Sequence, residues 1–333
     1  MSVALALPAL LSLVPRPPPA HDGLSHRPSA LVPLGVLSTV PIAIGSFNTA
    51  VQLAGELSSR QAVLMQCGSY AVAGLSLCAL RLARHGTARV DWHTLRAGLE
   101  LGLWLGAGGT LQALGLQATT ADRAGYLVQL SAVLVPLAEW LLNRARLSAS
   151  TLAAMVCSLL GVALLVLTPG EVVAAAGKTA LWRGDALVAT SSLFYSAHIL
   201  RLGALAKRHP DPLKLASAKA LASLCVSAVT LSVLTLVAPA GARLSLRRTA
   251  LPTMLFTGTV TCAYPMWAQN FGQRRVRPSR AALIYSTAPL WNALFAVLLL
   301  GQRLRPRAMA GAALMMGGFV LVTRAEAGGR AEA

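Results

Sequence analysis

The chain of 333 residues is 55% hydrophobic and only 12% charged, with a mean hydropathy of +0.62. A water-soluble domain carries about 25% charged residues, so this composition excludes a protein with a fully hydrated surface. The 29 Lys and Arg residues outnumber the 11 Asp and Glu residues, and we interpret the excess as membrane orientation rather than nucleic-acid binding. All five cysteines lie in apolar segments without a CxxC pair, so we expect neither a zinc site nor a disulfide framework.

Ten apolar segments predict ten membrane-spanning helices, because about 20 apolar residues cross the hydrocarbon layer as a helix. Seven segments are long: 28–55, 61–80, 101–121, 147–170, 220–242, 249–273 and 281–302. Three are shorter, 124–138, 186–200 and 308–323, but terminal arginines can reach the headgroups from them. We number these segments span 1 to span 10 in chain order. They do not alternate apolar and polar residues as membrane strands would, so we predict an all-α polytopic membrane protein.

The domain organisation follows from the spans and from the Pro-rich start of the chain. Residues 1–30 contain PRPPPAHDGLSHRP (15–28) and predict a disordered N-terminal tail or a targeting segment. We then expect a first five-helix repeat (31–168), a linker (169–183), a second repeat (184–324) and a C-terminal tail (325–333). The side shared by both termini carries 18 of the Lys and Arg residues and the other side 10. Both termini are therefore predicted to be cytoplasmic, or stromal in an organelle envelope.

An internal repeat relates residues 123–164 to residues 280–321 without a gap, at an offset of 157. Each copy has an arginine, an apolar helix, an Arg-Leu turn and a second apolar helix with a late glycine. The repeat places spans 4 and 5 on spans 9 and 10, so one unit has five helices. An odd number of helices forces the second unit to insert upside down. Inverted repeats of this kind are typical of secondary transporters that hold substrate near the membrane midplane.

Two segments resemble the back half of an EamA domain, a family in the drug/metabolite transporter superfamily: LGLQATTADRAGYLVQLSAVLVPLAEWLLNRARLSASTLAAMVCSLLGVALLVL (114–167) and SRAALIYSTAPLWNALFAVLLLGQRLRPRAMAGAALMMGGFVLVT (279–323). Both have a small-residue turn entering the first helix and a Gly-containing closing helix. Gln302 stands where the family commonly has Glu. The resemblance implies a ten-helix secondary carrier whose central cavity is formed largely by spans 1, 3, 4, 6, 8 and 9. It implies no particular substrate, since the family spans amino acids, nucleotide sugars, drugs and organic phosphates.

Three ionisable residues lie within predicted spans or at their edges: Glu100, Glu139 and Lys219. Charged groups in membrane helices are costly and usually functional, so each can couple proton movement or bind a charged substrate. Each also lies close enough to a helix end to extend towards the headgroups. The sequence leaves both interpretations open.

Polar and aromatic side chains at helical spacing predict a solvated substrate cavity. The predicted cavity residues are Asn48, Gln52, Glu100, Trp104, Gln112, Tyr126, Gln129, Tyr195, His198, Tyr264, Trp267, Tyr285, Trp291 and Asn292. Tyr285 is the strongest candidate because it lies one turn into span 9. Hydrogen bonds between helices, or aromatic belts at the membrane surfaces, are the alternative roles for these residues.

Small and helix-breaking residues predict close packing and bends. Span 3 carries a glycine at every fourth position, which favours close helix contact or a hinge: Gly98, Gly102 and Gly106. Prolines within spans 1, 4, 8 and 9 remove backbone hydrogen bonds and can kink the helices: Pro41, Pro136, Pro265 and Pro289.

The sequence predicts a secondary transporter that moves a small polar or amphipathic metabolite by alternating access. An ATP site is not expected, because Gly177-Lys178-Thr179 has Val172 where a phosphate-binding loop needs glycine. We expect no catalytic residues, metal or cofactor. The alternatives are a membrane-embedded enzyme acting on lipid-linked substrates and a non-transporting membrane subunit. The expected partners are a small-molecule substrate and the lipid bilayer, with a homodimer left open and nucleic acid excluded.

Overall fold

The computed structural model describes residues 31–54, 57–86, 91–119, 121–143, 148–166, 178–237 and 249–301, and isolated residues between 306 and 321. Within these residues all regular structure is helical, so the prediction of an all-α fold is confirmed for them. The predicted N-terminal and C-terminal tails lie outside the described residues, as does most of the predicted linker.

We number the helices after the predicted spans and write a and b for the two parts of a broken helix. The first half contains α1 (Leu31–Ala54), α2 (Ser59–His85), α3 (Trp92–Gly115), α4a (Ala121–Val128), α4b (Ser131–Asn143) and α5 (Ala149–Val166). The second half contains α6 (Lys178–Arg208), α7 (Pro212–Leu236), α8a (Ala250–Phe256), α8b (Tyr264–Gln273), α9a (Pro278–Tyr285) and α9b (Ala288–Leu300). A π-helical segment, Thr257–Ala263, joins α8a to α8b. Helical residues between 309 and 321 belong to span 10.

Two helices that start after an aspartate begin eight or nine residues before the positions that the charge pattern predicted. We predicted span 3 from residue 101, but α3 starts at Trp92 because the Asp91 carboxylate accepts the backbone N–H of Thr94 at 2.9 Å. We predicted span 7 from residue 220, but α7 starts at Pro212, where the Asp211 carboxylate accepts the N–H of Leu213 at 2.9 Å. In both cases an aspartate cap satisfies the free N–H groups of the first turn, so the helix extends through charged residues.

Helix α6 is also longer than predicted, with 31 residues in place of the segment 186–200. Its N-terminal turns include residues 178–183, which we had assigned to the linker. Its C-terminal turns include Arg201, which the count of Lys and Arg residues per side places in a loop. Arg96 and Lys214, counted in the same way, lie within α3 and α7. The Lys and Arg count per side therefore contains helical residues, because an arginine inside a helix is tolerated when it has a partner.

Helices α4 and α9 are interrupted at equivalent positions of the sequence repeat. All four bounds of α9a and α9b equal those of α4a and α4b moved by 157 residues. In the first break the N–H of Leu130 donates to the carbonyl of Leu127 at 3.1 Å, and in the second the N–H of Thr287 donates to Ile284 at 3.2 Å. These bonds join residues three apart, so each helix tightens locally at its break. The equivalence in backbone structure strengthens the case for an internal repeat.

The prolines occupy different positions relative to these breaks. Pro41 and Pro136 lie inside α1 and α4b, while Pro265 and Pro289 each lie in the first turn of the helix that follows an interruption. Proline has no N–H, so the carbonyl of Tyr285, four residues before Pro289, lacks its normal helical donor. Pro136 has no such relation to the break before α4b, so proline alone does not account for both interruptions.

Close packing of α3 against α7 holds the two halves together. A side chain added at Gly98 would place its Cβ 2.3 Å from the Cβ of Ala218, and one at Gly102 would lie 2.4 Å from the Cβ of Ala222. The glycine face of span 3 therefore functions in helix packing, as the sequence predicted. Gly106 continues the same contact, since a Cβ added there would lie 3.0 Å from the Cβ of Val226.

The outer surface of the helices is apolar. Large side chains such as Leu75, Val229 and Leu298 are 72%, 64% and 67% exposed, an arrangement that suits contact with lipid. Four described helices are long and apolar enough to cross a membrane: Val32–Val51, Ser59–Arg84, Pro212–Leu236 and Pro278–Leu299. The chain is a multi-pass integral membrane protein. The count of ten spans and their inverted arrangement remain predictions, because span 10 is described only in part.

Candidate functional site

A cavity of about 800 Å³ lies between the two halves of the molecule. Its described lining comes from α1, α2, α3, α4a and α4b of the first half and from α6, α8 and α9 of the second half, including the π-helical segment. The breaks in α4 and α9 both reach it: Val128 and Ser131 flank the first break and line the cavity, as do Tyr285 and Ala288 at the second. A volume of this size accommodates a small-molecule ligand.

Five predicted cavity residues line this space: Gln112, Gln129, Tyr195, His198 and Tyr285. They come from α3, α6, α9a and the break in α4, so distant segments of the chain converge on one site. Three further candidates, Asn48, Gln52 and Tyr126, have side chains outside what the structure describes. Direct contact between any of these residues and a solute stays a prediction.

The other six predicted residues lie outside the described lining of the cavity: Glu100, Trp104, Tyr264, Trp267, Trp291 and Asn292. Most of them have other partners. The ring of Trp104 lies 5.8 Å from that of Phe194 and the ring of Trp267 stacks on Phe271 at 5.6 Å. The hydroxyl of Tyr264 is hydrogen-bonded to that of Thr39. These aromatic side chains therefore mediate contacts within and between helices.

Trp291 and Asn292 lie at a backbone contact between α9b and α1. A side chain at Gly45 would place its Cβ 2.6 Å from the Cβ of Trp291 and 2.9 Å from the backbone nitrogen of Asn292. Both residues are half-buried. The small residue in α1 lets the two helices approach closely, so this pair contributes to the packing of helices that line the cavity.

Sequence reasoning missed the polar face that α2 contributes to the cavity. Gln66, Ser69 and Tyr70 all line the space, although the family resemblance assigned the cavity to other spans. Their spacing of three and four residues places them on one face of a helix, and this pattern is the signal that could have revealed them. On α8 the structure adds Thr257 and Thr261, which are also four residues apart.

The comparisons with known proteins bear on the half of the chain that supplies α6, α8 and α9. The model of the EamA-like transporter family matches residues 182–324. Residues 182–324 are an EamA-like transporter domain. The predicted resemblance to an EamA-domain protein of the drug/metabolite transporter superfamily is thus confirmed, and the matched range nearly coincides with the predicted second repeat.

Two further proteins are similar to this EamA-domain protein over a larger part of the chain. An uncharacterized transporter from Archaeoglobus fulgidus is 25% identical over 226 residues, which are 68% of each chain. A solved structure described as a crystal structure of protein has a TM-score of 0.70 at 18% identity and covers 89% of this chain and 98% of that chain. The second similarity concerns the fold alone. Together with the apolar helices, the family match identifies a membrane transporter in general terms.

Several polar groups in the cavity of the EamA-domain protein are satisfied by hydrogen bonds between helices. The Tyr195 hydroxyl donates to Oε1 of Gln112 at 2.7 Å, which joins α6 to α3. The hydroxyls of Ser69 and Thr257 lie 2.6 Å apart and join α2 to the π-helical segment. These bonds fix the side chains that surround the cavity, since each buried donor or acceptor left unpaired costs about 1–3 kcal/mol.

Other polar atoms of lining residues have no hydrogen-bond partner within the described part of the chain: Gln66 Oε1, His198 Nε2 and the Tyr285 hydroxyl. His198 and Tyr285 are 2% and 7% exposed, so bulk water does not satisfy them. Buried polar groups are normally paired. Unpaired atoms on three different helices around one cavity are the arrangement expected of a site that binds a polar ligand.

The three ionisable residues singled out from the sequence lie outside the described lining of this cavity. Glu100 forms an ion pair with Arg201 through both carboxylate oxygens, which joins α3 to α6. Glu139 accepts the backbone N–H of Ser279 at 3.0 Å, at the N-terminus of α9a, where a negative charge is favourable. Both side chains therefore have structural partners.

Lys219 does not extend towards the membrane surface, contrary to one of the two interpretations of the sequence. Its side chain is fully buried, and Nζ donates to Oδ1 of Asn270 at 3.0 Å and to the carbonyl of Met266 at 3.4 Å. The reason is that α7 starts at Pro212, so Lys219 lies two turns inside the helix and faces α8b. The amine is thus held against the backbone of Met266, a residue that lines the cavity.

Metal ligation and disulfides find no support among the residues that the structure describes. No group of three or more His, Cys, Asp or Glu residues is placed there as a metal site would require. The five cysteines, all within the described ranges, are free thiols.

Proposed function

We propose that this EamA-domain protein is a secondary transporter that moves a small polar or amphipathic metabolite across a membrane by alternating access through the central cavity. The observation that carries the proposal is the cavity itself, which lies between the two halves and is reached by both helix breaks. Inverted repeats with interrupted helices at the substrate site are the usual architecture of secondary transporters. The name of the archaeal relative, a transporter, agrees with this function.

The equivalent breaks in α4 and α9 support alternating access in particular. In an inverted repeat the same structural device occurs once in each half and points to opposite membrane faces. A rigid-body movement of one half against the other then opens the cavity to one side while closing it to the other. We further propose that both termini are cytoplasmic, or stromal in an organelle envelope.

Cysteine labelling from each membrane face tests alternating access. In a variant without the five native cysteines, Gln129→Cys and Thr261→Cys place thiols at the cavity, and Val229→Cys is the matched control on the lipid-facing surface. We expect a membrane-impermeant thiosulfonate to modify both cavity positions from either side of sealed vesicles and to leave the control unmodified. Modification of both cavity positions from one side only would contradict alternating access.

Transport itself is tested in proteoliposomes with radiolabelled amino acids, nucleosides and aromatic amides. We expect saturable uptake of at least one class, because a carrier has a finite number of binding sites whereas a pore does not saturate. Uptake that is equal in protein-free liposomes for every class would overturn the proposed function.

A further inference from the structure

We propose that the cavity selects a solute without formal charge, an amphipathic molecule that presents hydrogen-bonding groups beside apolar surface. This inference rests on the proposed function, because it names the class of substrate for the same cavity.

The described lining is made of neutral groups. Its polar side chains are amides, hydroxyls, phenols and one imidazole, and the rest are apolar residues such as Phe47, Met65 and Val128. A formally charged solute would lose its hydration on entering, and among the described lining residues it would meet no Asp, Glu, Lys or Arg as a counter-charge. Burying an unpaired charge is far more costly than burying a neutral polar group.

The unpaired atoms specify what a neutral solute can offer. Oε1 of Gln66 can only accept a hydrogen bond, since it is an amide oxygen, so the solute needs at least one donor. The Tyr285 hydroxyl can donate to an acceptor on the solute, and Nε2 of His198 takes either role according to its tautomer. A primary amide or a group of hydroxyls has both a donor and an acceptor without a charge.

Lys219 is a buried amine that contacts a lining residue, Met266, but it does not itself belong to the described lining. Its Nζ donates to Asn270 and to the backbone carbonyl of Met266, and the side chain is 0% exposed. An anion in the cavity therefore has no direct contact with this amine. Within the described part of the chain, Glu100 and Glu139 offer a cation in the cavity no compensation, because they are engaged with Arg201 and with the backbone of Ser279.

Binding of three molecules of nearly equal size tests the inference: phenylacetamide, phenylacetate and phenethylammonium. They share a phenyl ring on a two-atom chain and differ in charge, so their dissociation constants isolate the effect of charge. With the purified full chain in detergent at neutral pH, we expect the amide to bind at least about tenfold more tightly than either ion. Ligand-observed NMR or calorimetry measures all three. Equal or tighter binding of an ion would overturn the inference. Absence of amide binding at ~10 mM, well above a weak dissociation constant of ~1 mM, would also overturn it.

A variant without the Tyr285 hydroxyl tests whether the free polar atoms make the contact. Tyr285→Phe should weaken amide binding about 2- to 10-fold, the range for one hydrogen bond. Ser232→Ala removes a hydroxyl that is exposed on α7 and bonded to the carbonyl of Ala228, so it should leave binding unchanged. An unchanged dissociation constant in Tyr285→Phe would refute the role of this atom.

The outcome is separable from that of the proposed function. Selective binding of the amide without any flux in proteoliposomes would support the preference of the cavity for an uncharged solute and would contradict transport. Saturable flux of a charged solute would support transport and contradict a neutral substrate.

Discussion

Replacing Glu100 by Leu should destabilise the fold more than replacing its partner Arg201 by Leu. The Arg201 side chain is 11% exposed and that of Glu100 33%, so the ion pair is largely removed from solvent. Nη2 of Arg201 donates to Oε2 of Glu100 at 2.8 Å, and Nε donates to the other carboxylate oxygen. In Glu100→Leu the more deeply buried guanidinium loses both oxygens of Glu100, whereas in Arg201→Leu the group left without its partner is the carboxylate, which is one-third exposed.

The magnitude follows from the burial of the pair. Removing one partner of a fully buried ion pair costs about 3–5 kcal/mol. Because a third of the Glu100 side chain is exposed, we expect Glu100→Leu to cost about 2–3 kcal/mol and Arg201→Leu about 1–2 kcal/mol. The double variant should lie within about 1 kcal/mol of the natural protein, because it removes both charges of the pair and adds apolar surface in an apolar setting.

Unfolding of the purified protein at increasing dodecyl sulfate in mixed micelles measures these differences as a double-mutant cycle. Leu103→Met is the matched control, since Leu103 lies on the same helix with 56% of its surface exposed. Its unfolding free energy should match that of the natural protein. If the two single variants were equally stable, or if the double variant showed the sum of both losses, the reasoning from a buried guanidinium that has lost the Glu100 carboxylate would be wrong.

Three further predictions concern packing and helix ends. Gly102→Ala should destabilise by about 1–3 kcal/mol, because its Cβ would lie 2.4 Å from that of Ala222, whereas Gly74→Ala, with 3.6 Å to its nearest neighbour, should not lower the melting temperature. Asp91→Ala should lower the melting temperature, most clearly near neutral pH, by removing the cap of α3; an unchanged melting curve there would argue against capping. Burial lowers the pKa of His209, so its contribution to stability is present above its ordinary pKa of about 6.5 and is lost as the pH falls below that value. The difference in melting temperature between pH 8 and pH 5 should therefore be smaller in His209→Gln, and an equal difference would contradict this assignment.

The hydrogen bonds of Asp91 add to this pH dependence in the same direction. The backbone N–H and side chain of Thr94 lower the pKa of the Asp91 carboxyl group. A lowered pKa in the folded state means that the ionised carboxylate supports folding above its ordinary pKa of about 4 and that this support is lost as the pH falls. The Thr94 hydroxyl also lies 2.9 Å from Nδ1 of His209, so acidification should loosen the junction of α3 with the turn between α6 and α7.

The all-helical fold and the family were predictable because both rest on local patterns. Runs of apolar residues specify a membrane helix without knowledge of its neighbours. The paired segments around residues 123–164 and 280–321 carried the family resemblance, and the structure shows breaks at equivalent positions in both copies. Helix starts were less predictable, since we took Glu100 and Lys219 as the limits of spans 3 and 7 although both lie within helices.

The site was only partly predictable, because polar residues on membrane helices serve packing as well as binding. Gln112, Tyr195 and Tyr285 line the cavity, but the equally polar Tyr264 and Trp267 make contacts elsewhere. Single-residue chemistry does not separate these two groups. The distinction depends on how each helix is rotated about its axis, and neighbouring helices set that rotation.

The sequence by itself determined that this chain is helical, crosses a membrane and contains an EamA-like domain, since hydrophobic length and a repeated segment are encoded residue by residue. Only the tertiary structure decided which polar groups meet. It joined Glu100 to Arg201 across 101 residues of chain, enclosed Lys219 behind Met266 and turned a face of α2 into the cavity. These contacts depend on the close approach of two helices at small residues such as Gly102. Such an approach fixes the rotation of a helix about its axis only when the neighbouring helix is in place.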